Sequence, residues 1–114
     1  MSWCHVVNLT TGASLARARL AGSFVRRLLG LLGRRSLDPG EGLLLGPTRG
    51  VHTLGMRFAV DAVYLDAQGC VLTVVTLPPG RLGPLVPSCR WVLELAAGGA
   101  GATCAGHQIV VYPV

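Results

Sequence analysis

The run Phe58-Ala59-Val60-Asp61-Ala62-Val63-Tyr64-Leu65 is apolar at every position but one. Successive side chains of a strand point to opposite faces, so such a strand offers no face to water and belongs in a sheet covered on both sides. The rest of the chain supplies more strands than helices. Sixteen glycines and seven prolines in 114 residues are about a fifth of the chain against an average near 12%, which favours short elements joined by many turns. Cys4 to Leu9 and Ser14 to Leu20 read as a hairpin across Thr10-Thr11-Gly12. Further strands are expected at Gly42 to Leu45, Val51 to Thr53, Phe58 to Leu65, Val71 to Leu77, Trp91 to Leu95 and Ile109 to Tyr112. Asp66-Ala67-Gln68-Gly69 is a hairpin turn between two of them. Pro78 to Arg90 holds four prolines and reads as a long ordered loop.

One segment breaks this pattern. Phe24, Leu28, Leu31 and Leu32 recur at helical spacing, with Ser23 as N-cap and Gly33 as stop, so a helix is expected over Ser23 to Leu32. Its apolar residues fill an arc of about 160° with Arg27 at the edge, where the stem can pack while the guanidinium reaches an acceptor. Gly30 in mid-helix costs about 1 kcal/mol relative to alanine, which hints at a close backbone approach there. The expected fold is a single domain over residues 1–114, mainly β with one short α-helix, an α+β barrel- or sandwich-like antiparallel sheet.

A hydrophobic content of 51% with 13% charged residues excludes disorder as the main state. No stretch of 18 apolar residues is present to span a membrane, and Met1 to His5 does not begin a secretory signal, so a cytoplasmic home is expected. In such a compartment Cys4, Cys70, Cys89 and Cys104 are expected as free thiols. The net charge of +5 is carried wholly by arginine. Six aromatic residues lie outside the clusters Arg17/Arg19, Arg26/Arg27 and Arg34/Arg35, so no specific nucleic-acid binding is expected.

Two of the five acidic residues, Asp61 and Glu94, stand inside apolar strand patterns. Burying an unpaired carboxylate costs several kcal/mol, so each needs an arginine or backbone donors, with Arg27 and Arg57 as the natural cations. The simplest reading pairs Asp61 with Arg27 to lock helix against sheet. A functional reading adds His52 and makes Arg27, His52, Met56, Arg57, Asp61 and Glu94 a polar pocket. His52-Thr53-Leu54-Gly55-Met56 sets an imidazole and a thioether around a glycine, a soft-metal pairing, but two ligands do not make a metal site. No recognisable nucleophile motif, P-loop or zinc motif is present, and no cofactor is expected.

Arg27-x-x-Gly30-Leu31-Leu32-Gly33-Arg34, the block His52 to Asp66, Val92-Leu93-Glu94-Leu95-Ala96-Ala97-Gly98 and Gly106-His107-Gln108-Ile109 together resemble the DUF192 family, also called UPF0127. The order and spacing match over about residues 15 to 112. The resemblance implies a small β-rich domain of a bacterial and archaeal family without an assigned activity. It singles out Arg27, Gly30, Met56, Asp61, Glu94 and Gly106; Gly55 joins Gly30 and Gly106 as a structural glycine. The chain departs from the family pattern at Leu32, where methionine is frequent, and at His107, where an aspartate or asparagine commonly follows the glycine. The expectation is a non-enzymatic domain, monomeric or weakly dimeric, binding a small molecule or a protein. The alternative is a hydrolase or other enzyme using Asp61 or Glu94 with His52 as acid and base, or a copper-binding domain through His52 and Met56.

Overall fold

The computed structural model describes residues 3–21 and 37–113. They form seven strands: β1 (Trp3–Asn8), β2 (Ala13–Ala21), β3 (Glu41–Leu45), β4 (Val60–Leu65), β5 (Val71–Leu77), β6 (Trp91–Ala96) and β7 (Ile109–Pro113). All seven belong to one sheet in the order β5-β4-β6-β3-β2-β1-β7. The expected hairpins β1-β2 and β4-β5 are present, and the apolar strand β4 lies inside the sheet between β5 and β6. The helix expected over Ser23 to Leu32 lies outside the described residues, with Arg27 and Gly30, and the described residues hold no helix.

Three expectations are corrected. The sheet is not wholly antiparallel, because β2 runs parallel to β3. Parallel neighbours cannot be joined by a tight turn, and the chain spends residues 22–40 on the connection. A two-sheet sandwich is replaced by one sheet that curls on itself. Val51 to Thr53 is not a strand: His52 makes a single bridge to Leu82, and the ladder stops there because Arg81 N donates to the Thr53 hydroxyl while Gly80 N takes the Thr53 carbonyl.

The curl brings the two ends of the sheet together. Ile109 N donates to Gly69 O at 2.9 Å, Val71 N to His107 O at 2.8 Å and Gly106 N to Val71 O at 2.8 Å. These bonds tie the start of β5 to the segment entering β7, so the sheet is a half-barrel pinned at one end. Gly69, at φ +81°, allows that approach, since a Cβ there would lie 2.5 Å from Ile109 O.

Cross-strand register sorts the side chains into two faces. Val6, Ala16, Ala18, Leu44, Val63, Leu65, Leu93, Leu95 and Ile109 fill the inside of the curl. Outside, Leu43, Leu45, Met56, Val60 and Leu77 form one cluster, and Ala62, Tyr64, Cys89 and Val92 another. Both faces of β4 and β6 are thereby covered, which is why β4 reads as apolar throughout. All four cysteines are free. No helix among the described residues is long and apolar enough to cross a membrane.

Candidate functional site

Asp61 pairs across the sheet with Thr76 on β5 and Leu95 on β6, so its side chain takes the inner face. It is 5% exposed. Thr76 Oγ1 donates to Oδ1 at 2.7 Å, while Gly98 N and Ala100 N donate to Oδ2 at 3.0 and 3.1 Å. The carboxylate thus pins the turn after β6 to the sheet, and the donors it needs are backbone and hydroxyl groups. The expected partner Arg27 lies outside the described residues.

Glu94 is directly opposite Leu43 on β3 and Ala62 on β4, both on the outer face. It is fully buried there. Asp61, one residue before Ala62, must project the other way, so the two carboxylates do not converge. Tyr64 shares the outer face with Glu94. Burial pushes the phenol up, backbone contact with Val51 opposes this, and the charges of Cys89 and Glu94 reinforce it. The hydroxyl donates to Pro84 O at 2.8 Å.

The loop over this outer face holds the other expected site residues. Met56 is buried in the cluster with Leu43, Leu45 and Val60. His52 is half-buried, with Nδ1 accepting from Leu54 N at 3.2 Å, and Arg57 is exposed. Gly55, at φ +80°, turns the chain between them. Gly106, at φ +89°, makes the turn into the seam. Thr53, not expected from sequence, fastens this loop: its hydroxyl donates to Pro78 O at 2.5 Å and accepts from Arg81 N at 2.8 Å. Among the described residues no three of His, Cys, Asp and Glu are grouped to hold one metal ion. Met56 and Glu94 therefore share a face, His52 and Arg57 lie on its covering loop, and Asp61 stands apart.

The feature that sequence reasoning missed is a hollow at the seam of the half-barrel. Its volume is about 420 Å³, and Leu44, Leu65, Trp91, Ile109, Val110 and Val111 wall it, with Gln68, Gly69 and Gln108 at the rim. Trp91 lies flat against Gly46, where a Cβ would come within 2.0 Å of the indole. A second hollow, of about 480 Å³, is walled by Ser14, Gly40, Glu41 and the turn 96–99 that Asp61 holds. No sequence period marks either, since each is assembled from segments far apart in the chain. The register of β1 and β2 also sets Trp3 against Arg17 and Arg19, with each guanidinium under 5 Å from the indole centroid, at 4.7 and 4.8 Å.

The family model DUF192, described as "Uncharacterized ACR", matches residues 6–110. No curated protein matches the chain. Two crystal structures are similar in fold. One, described as a "putative transcription regulator" from Sinorhizobium meliloti 1021, is 21% identical with a TM-score of 0.77, over 96% of this chain and 92% of that one. The other, a protein of unknown function from Novosphingobium aromaticivorans DSM 12444, is 19% identical with a TM-score of 0.75, over 95% of this chain and 83% of that one.

Proposed function

This chain belongs to the DUF192 family, and from that premise we propose that it is a small-molecule-binding domain without catalytic machinery. The observation that carries the reading is the seam hollow walled by Leu44, Leu65, Trp91 and β7. A volume of about 420 Å³ falls within the range of about 300 to 1,000 Å³ usual for small-molecule pockets, which combine apolar walls with a few polar groups. The ligand class is a small apolar molecule, a ring or short acyl chain, with one polar group turned toward Gln108. This moves the binding function expected from sequence away from the polar set Arg27, His52, Met56, Arg57, Asp61 and Glu94. Acid and base catalysis by Asp61 or Glu94 with His52 has less support, since Asp61 takes the inner face while His52 lies on the loop over the outer one, and Glu94, on the outer face, is fully buried.

Titration with anilinonaphthalene sulfonate and with octanoate, followed by Trp91 emission in a Trp3→Phe background, tests the proposal. Saturable micromolar binding is expected. Val111→Phe, which puts a phenyl ring into the hollow from a side chain 40% exposed and leaves Trp91 the sole indole, should weaken it at least tenfold without lowering the melting temperature. Undiminished binding by a folded Val111→Phe protein would overturn the reading.

A further inference from the structure

We infer that Cys104 is a nucleophilic thiol held ready by His107, and that it is the chain's site of thiol–disulfide exchange with small disulfides. Cys104 is exposed, and its Sγ lies 3.2 Å from His107 Nε2. What that contact can do depends on which imidazole nitrogen carries the proton, and the surroundings decide it. His107 Nδ1 is approached by two groups that only donate: Cys104 N at 3.3 Å and Asn8 Nδ2 at 3.1 Å. Asn8 is fully buried, and its amide cannot be turned round, because Thr10 N and Thr11 N donate to its Oδ1 at 2.9 and 3.2 Å. The same Nδ2 also donates to Thr103 Oγ1 at 3.0 Å.

Nδ1 is therefore an acceptor, and the proton of the neutral ring sits on Nε2. That excludes two roles for the pair. A general base would need Nε2 bare to take the thiol proton, and a metal bound at Nε2 would need the proton moved to Nδ1, against two N–H donors. The remaining role is donation: Nε2–H points a hydrogen bond at the sulfur and holds it in place for attack.

The other three thiols supply the contrast. Cys4 and Cys89 are buried, and burial pushes both thiols up against weaker opposing backbone contacts. Cys70 is half-buried beside Val71 O. In the exchange, the Cys104 thiolate attacks one sulfur of a small disulfide. The new S–S bond forms as the old one breaks, and the second half leaves as a thiolate that takes up the released proton. One S–S bond is exchanged for another, with Cys104 left as a mixed disulfide and one thiol released, so no further oxidant or reductant is needed.

The native full chain is treated with oxidised glutathione or with dithiobis-nitrobenzoate, and the modified cysteine is identified by peptide mass mapping over time. Cys104 should be modified at least tenfold faster than Cys70, with Cys4 and Cys89 silent until the protein unfolds. His107→Leu should slow the Cys104 reaction at least fivefold. If that variant fails to fold, the rate at Cys104 in the native chain is compared with its rate in the urea-unfolded chain, where access is complete and His107 no longer faces the sulfur: a faster native rate is expected, and one no faster than the unfolded rate would overturn the inference. Equal rates at the two thiols, or an unchanged rate in folded His107→Leu protein, would overturn the inference.

Discussion

Replacing Asp61 by alanine and by asparagine should give two different costs, and the difference measures what the carboxylate does. Alanine removes the acceptor of three hydrogen bonds, from Thr76, Gly98 and Ala100. Hydrogen bonds to a charged group contribute about 1.5 to 3 kcal/mol each, offset in part because an ionised carboxylate no longer has to be buried. Ala100, 3% exposed, then keeps a buried N–H with nothing to receive it. A net loss of about 3 to 4 kcal/mol follows, a large fraction of the stability of a small domain. Asparagine can keep the pattern. Its carbonyl oxygen can accept from Gly98 N and Ala100 N while its amide donates to the Thr76 hydroxyl, which accepts as well as donates. Only the charge assistance is lost, about 1 kcal/mol. Urea denaturation of both variants beside Thr76→Val, with m-values compared, is the assay. If asparagine costs as much as alanine, a cation stranded by loss of the charge dominates the site, and the backbone-and-hydroxyl account of Asp61 is wrong.

Gly46→Ala should lower stability by about 2 kcal/mol through overpacking against Trp91, since the added Cβ would lie 2.0 Å from the ring; a thermal melt with an unchanged midpoint would contradict it. Cys4, Cys89 and Tyr64 all have their proton loss pushed up by burial, so the folded chain keeps protons that the unfolded chain gives up at high pH. Stability should be level at neutral pH and fall progressively as pH rises through about 9 to 10 and beyond, where the unfolded thiols and phenol ionise. Tyr64→Phe should flatten the upper part of that fall, and stability that stays constant to pH 11 would refute the assignment. Asn8→Ala removes the acceptor for Thr10 N and Thr11 N and the donor to Thr103 and His107, so a loss of about 2 to 4 kcal/mol is expected by chemical denaturation.

The strands were legible because burial leaves a direct trace in sequence. β4 is apolar throughout because both its faces are covered, and β5 runs over Val71–Leu77 as its β-branched composition indicates. Asp61 and Glu94 could be picked out as buried for the same reason, and both are. Their separation onto opposite faces could not be read, because facing follows from which residue opposes which. Asp61 meets Thr76, whereas Glu94 meets Ala62, and only pairing register reveals that. The parallel β2-β3 pair and the pinned seam are long-range hydrogen bonds without a local pattern. Asn8 was hidden inside an apolar run, although a lone amide at a strand end facing Thr10-Thr11-Gly12 is a turn-capping signal. The sequence pattern places Trp91 in a strand, but its place as a wall of the hollow depends on Gly46, distant in sequence and lacking the Cβ that would displace it.

Amide and methyl chemical-shift mapping with octanoate tests the binding account most directly, because it reports the location of the ligand independently of any activity. Saturable shifts are predicted at the methyls of Leu44, Leu65 and Val111, the Trp91 indole and the amides of Gln108 to Val110. Shifts gathered instead at the turn 96–99 or around Trp3, Arg17 and Arg19, or no saturable shifts at all, would contradict it.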